Sequence, residues 1–162
     1  MDIGPWLGET IPQWWTLAQV AFAMVLGAVL GAERERQAKP AGVRTHMLVA
    51  GASALLVGLG DVVIEGIDQE SAGVVLRADP IRLIEAVVAG VSFLGAGTII
   101  RRQSSDGVEG LTTAASMLVT AGVGVCVALS QLVVAVGVTV LVLITLILGA
   151  RVDAWLRGGT PS

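Results

Sequence analysis

Forty-one consecutive residues, Gly110 through Ala150, contain no Asp, Glu, Lys or Arg. A helix crosses a bilayer with about 20 apolar residues, so this stretch holds two spans back to back. A soluble helix of that length would present charge on its outer face. Here no face has any, which leaves lipid, or other helices in lipid, as the surroundings. Charged residues make up only 14% of the chain, against roughly 25% in soluble domains.

Shorter uncharged runs place the other spans. The reading is Trp14–Gly31, Thr45–Gly60 or a turn beyond, Pro80–Arg102, Leu111–Leu129 and Gln131–Arg151. This is an all-α, polytopic membrane protein of about five helices: an outer segment (1–13), a transmembrane domain (14–151) and a short tail (152–162). Asp79-Pro80 marks the start of the third helix, because Asp accepts from the free amides of a first turn and Pro suits the first helical position. Ser130-Gln131, a polar pair without Gly or Pro, marks the turn between the last two.

Basic residues set the expected orientation. Arg34, Arg36, Lys39, Arg44, Arg101, Arg102, Arg151 and Arg157 fall on one side and only Arg77 and Arg82 on the other. The N-terminus is therefore expected outside and the C-terminus in the cytoplasm. Trp6, Trp14, Trp15 and Trp155 lie at span ends, where indoles favour the headgroup zone. The first basic residue is Arg34, so the first apolar run is read as a retained span and not a signal peptide.

Several function classes lose support. No basic stripe points to nucleic acid. No phosphate-binding loop or metal-ligand cluster is present, and Cys126 is the sole cysteine, so the chain is expected not to be an enzyme and to need no cofactor. The outer loop with Asp61, Glu65, Asp68 and Glu70 offers scattered carboxylates without the convergence a hard cation such as Mg2+ wants.

Small residues indicate where helices meet. Ala23, Gly27 and Gly31 recur at four-residue spacing in the first helix and Ser116, Thr120, Gly124 and Ala128 in the fourth, with Gly90, Gly95 and Gly97 in the third. Such stripes pack within one chain or against a second copy or a foreign membrane helix. Two polar groupings stand out as well. Glu33, Arg34, Arg44, His46, Arg101, Thr112 and Thr113 share one depth on the cytoplasmic face, where they lock helix ends together or receive an ion, a lipid phosphate or a partner. Asp79, Arg82 and Glu85 lie on the outer face; Arg82 and Glu85, three residues apart, are expected to pair, the alternative being a polar mouth for a cation or proton. Below Glu85 no charge continues inward, which argues against a transport path.

In order along the chain run Gly31-Ala32-Glu33-Arg34-Glu35, Lys39-Pro40-Ala41-Gly42-Val43-Arg44-Thr45-His46, Asp79-Pro80-Ile81-Arg82, Phe93-Leu94-Gly95-Ala96-Gly97 and Gly110-Leu111-Thr112-Thr113-Ala114-Ala115. Together they resemble the MgtC/SapB family of bacterial membrane proteins over about Gly27 to Gly124. Departures are Ser92 where Gly is frequent, Ala86 and Leu118 where Gln and Trp occur, and Glu85 where a small residue is usual. Some relatives carry a soluble C-terminal domain; only Arg151 to Ser162 follow the last helix here, so the chain is expected to lack it. The resemblance implies a multi-pass protein of the bacterial inner membrane, linked to Mg2+ homeostasis and mostly regulatory, one member acting on the F-type ATP synthase. The expected mode of action is lateral association with itself or another integral membrane protein; the alternative is a transporter or channel for Mg2+ or a similar ion.

Overall fold

The computed structural model describes residues 13–70, 80–100, 103–104, 107–108 and 110–156. Five helices follow one another: α1 (Gln13–Arg36), α2 (Val43–Glu70), α3 (Pro80–Ile100), α4 (Leu111–Ala128) and α5 (Leu132–Leu156). Each contains a stretch long and apolar enough to cross a membrane. Between α3 and α4 lies a small antiparallel hairpin, β1 (Gln103–Ser104) and β2 (Gly107–Val108), which sequence periodicity did not announce.

The starts of the helices agree with the sequence reading to within two residues, while three ends do not, α5 running on from Arg151 to Leu156. α1 continues through Glu33–Arg36, and α2 runs ten residues past Gly60, so the stretch Asp61–Glu70 is helix and not loop. The physical reason is the lack of a stop: after Gly60 the chain offers only Gly66 as a breaker, among residues that otherwise continue a helix.

Where α1 does stop, the geometry is a Schellman turn. Lys39 N–H donates to Arg34 O (3.0 Å) and Ala38 N–H to Glu35 O (2.9 Å), with Ala38 in the left-handed region at φ 51°. α4 stops in the same way. Gln131 N–H reaches Cys126 O (2.8 Å) and Ser130 N–H reaches Val127 O (3.0 Å), around Ser130 at φ 58°. The tight turn between α4 and α5 thus sits where the polar pair placed it.

α4 packs against each of the other four helices, and α1 and α2 form the most extensive neighbouring pair. Backbones approach closely there because the small-residue stripes face inward. A methyl group on Gly27 would stand 2.5 Å from the His46 carbonyl oxygen, and one on Gly31 would stand 2.6 Å from Val43 Cα. One on Gly124 would collide with the Ala50 carbonyl oxygen. Ala23, Ser116, Thr120 and Ala128 are buried along the same seams. Both stripes are therefore used in packing inside the chain.

The third helix behaves differently. Gly95 contacts Ala114 of α4 (3.1 Å from an added methyl), whereas Gly90 and Gly97 face open space. Their expected packing role within the chain is thus confined to Gly95. Buried hydroxyls in the spans bond their own helix, as Ser53 to Val49 O, Thr120 to Ser116 O and Thr139 to Ala135 O, each at 2.8 Å.

A polar cluster where four helix ends meet

The C-terminal end of α1, the N-terminal end of α2, the C-terminal end of α3 and the N-terminal end of α4 converge at one end of the bundle. Glycines set the spacing: Gly31 lies against Val43, and a methyl group on Gly110 would lie 2.9 Å from Thr98 O of α3. Gly110 itself has φ 100°, a conformation that suits a residue without Cβ.

The α1–α2 connection explains its own sequence. Glu35, on the last turn of α1, places Oε2 2.9 Å from the N–H of Val43 and so caps the start of α2 from eight residues upstream. Gly42 is what lets it in, since a methyl group there would stand 2.6 Å from that carboxylate oxygen. The Gly42 carbonyl then accepts from the His46 backbone N–H (3.2 Å) and lies 3.0 Å from His46 Nδ1. Because a carbonyl can only accept, Nδ1 carries the proton in this contact.

His46 is fully buried, and its other nitrogen, Nε2, lies 3.2 Å from Ser116 Oγ on α4. Ser116 Oγ is also 2.8 Å from Thr113 O. With a neutral ring, the Ser116 hydroxyl turns toward Nε2; with a charged ring it accepts from Nε2 and donates to Thr113 O. Next to it, Arg34 is 2% exposed, and its Nη2 donates to Thr113 Oγ1 at 3.3 Å. Arg34 Nε is buried without a partner among the described residues. A guanidinium has five N–H donors, so one neutral hydroxyl is a thin complement for a buried cation.

Of the residues expected to cluster, the structure brings together Arg34, His46 and Thr113. Glu33 turns aside: its carboxylate accepts from Gln37 Nε2 (2.8 Å) and pairs with Arg36 (3.7 Å), so it does not lock Arg34. Arg44 and Thr112 are exposed. Arg101 lies outside the described residues. Sequence reasoning assigned no role to Glu35 and treated Ser116 only as a packing residue. An acidic residue eight positions before a Gly-x-x-x-His helix start was a readable sign of the first; the second depends on a contact 70 residues apart.

The outer-face grouping does not form as expected. Arg82 and Glu85 are both exposed on α3, and no ion pair joins them among the described residues. Asp79 lies outside the described residues. At this opposite end the structure instead shows Gln19 of α1, whose Nε2 donates to Val127 O and Ala128 O (3.1 Å each) and lies 3.4 Å from Ser130 Oγ. It donates to the Ala128 carbonyl at the end of α4 and shares the Val127 carbonyl with the Ser130 N–H.

No solved structure matches the chain. It is 37% identical over 140 residues to an uncharacterized protein of Haemophilus influenzae, covering 86% of this chain and 58% of the relative. It is 39% identical over 127 residues to the protein SrpB of Synechococcus elongatus, covering 75% and 63%. To the protein MgtC of Salmonella typhimurium it is 36% identical over 121 residues, covering 75% of this chain and 46% of the relative. The chain thus spans about half to three-fifths of the length of these relatives. The family model described as MgtC family matches residues 20–155, a range that holds the whole Arg34–His46–Thr113 cluster and all of the five helices but the first two turns of α1 and the last residue of α5, and on this ground the chain belongs to the MgtC family.

Proposed function

We propose that this multi-pass protein is a regulator in the bacterial inner membrane, serving adaptation to low Mg2+ by lateral contact with itself or with another membrane complex such as the F-type ATP synthase. The observation that carries the reading is the closed centre of the bundle. Ala50 and Ala54 of α2 and Ala121 and Val123 of α4 are buried in one apolar cluster, the buried hydroxyls turn back on their own helices, and the buried charged side chain among the described residues, Arg34, sits at one end. An ion-coupled carrier relies on ionisable groups deep in its spans, and such groups are missing from the described interior.

Because the α1 and α4 stripes are consumed inside the chain, contact with a partner falls to the outer face of α3. There Gly90 and Gly97 are open, and Phe93 between them is 81% exposed. The eight-to-two division of basic residues supports a cytoplasmic location for the Arg34 end. Named relatives such as MgtC of Salmonella support the link to Mg2+ through their family.

A photoreactive residue in place of Phe93, activated in intact membranes, is expected to join the protein to itself or to another integral membrane protein. The same residue at Leu118, exposed on α4, serves as the comparison. Equal crosslinking at both positions refutes the α3 face. Robust Mg2+ flux into liposomes holding only this protein, abolished by Glu85→Gln, replaces the regulatory reading with transport.

A further inference from the structure

The first turn of α4 is uncapped. Gly110 occupies the cap position and brings no side chain, and the first amide to bond within the helix is that of Ala114, to Gly110 O at 2.9 Å. The N–H groups of Leu111, Thr112 and Thr113 precede it and have no partner among the described residues. Leu111 and Thr112 are exposed, so this end of the helix is open on one side. Free amides at a helix start, with the positive end of the helix dipole behind them, form a ready site for an anion.

A second observation points to the same spot. The Arg34 guanidinium reaches the first turn of α4 through Thr113 Oγ1, is buried, and keeps Nε unpartnered among the described residues. Among the described residues no carboxylate bonds Arg34 directly, although Glu33 lies near enough to act on it through space. The Glu33 carboxylate is held by Gln37 and Arg36, and His46 is engaged with Gly42 O and Ser116. The Arg34 side chain thus reaches, through Thr113 Oγ1, the same first turn that carries the free amides.

We propose that this junction is a binding site for a phosphate-type oxyanion, received by the Leu111 and Thr112 amides, the exposed Thr112 hydroxyl and the Arg34 guanidinium. A planar fork together with convergent amides suits a tetrahedral oxyanion better than a halide. The same chemistry comes from a free phosphate or from the headgroup of an anionic phospholipid at the membrane boundary. The site stands on local geometry and is independent of which partner, if any, α3 contacts.

The test follows thermal unfolding of the purified full chain in two arms. In zwitterionic detergent, inorganic phosphate is compared with chloride at matched ionic strength. In phosphatidylcholine discs, the chain is compared with and without phosphatidylglycerol. A saturable rise in Tm in the first arm assigns a free oxyanion, and a rise in the second arm alone assigns the headgroup. Thr112→Asp places a carboxylate at the same helix end, so it is expected to fold with equal or higher Tm while the ligand-dependent rise disappears. Arg34→Lys keeps the charge without the fork and is expected to weaken the ligand effect on the order of tenfold. No rise in either arm, or a rise that persists undiminished in Thr112→Asp, overturns the site.

Discussion

At the scale of single residues, two of the helix stops rest on side chains that ordinarily avoid the left-handed region. Ala38 at φ 51° and Ser130 at φ 58° hold positions that glycine fills in most Schellman turns. Ala38→Gly is therefore expected to stabilise the protein by about 1 kcal/mol, seen as a higher Tm in detergent, because the strain on Cβ is relieved and the hydrogen bonds remain. The opposite outcome is expected of Ser116→Ala. It leaves His46 Nε2 buried without its partner and should lower stability by about 1–3 kcal/mol. Arg34 and His46 were legible as chemistry from their charge and their place at a span end. Thr113 was legible with them, but Ser116 was not, because in a linear reading it is indistinguishable from the other hydroxyls that satisfy their own helices.

Among elements, the controlling feature is how near α4 comes to α2. Gly124→Ala drives a methyl group into the Ala50 carbonyl oxygen, whereas Gly122, two residues earlier, meets nothing within 4 Å. Gly124→Ala is expected to cost more than about 2 kcal/mol, at or above the middle of the usual overpacking range, and Gly122→Ala to leave stability within about 1 kcal/mol. Comparing their unfolding midpoints checks both, and equal effects contradict the packing described. Starts of helices were readable because they depend on local chemistry, such as Pro80 or the Gly110-Leu111 boundary. The end of α2 was not, since no local residue imposes it. The small-residue stripes were also readable, yet the same spacing serves one chain or two, and only the fold separates Gly95, which touches Ala114, from Gly90 and Gly97, which touch nothing.

For the whole molecule, the five spans were visible in the distribution of charge alone, and the direction in which they thread the bilayer has a simple check. In a Cys126→Ala background, Ser130→Cys and Ala38→Cys place single thiols at exposed turns on opposite ends of the bundle. A membrane-impermeant maleimide applied to intact cells is expected to label the first and spare the second; the reverse pattern inverts the orientation.

Gln19 reaches across 108 residues of sequence to close the far end of the bundle. During synthesis the helix carrying it enters the membrane well before the carbonyls it will bind exist in the nascent chain. One end of this bundle, with Arg34 and His46, draws on segments up to Ser116, while the other stays unfinished until the α4–α5 turn has emerged. The segments that build the cluster end are thus all synthesised before those that complete the glutamine end.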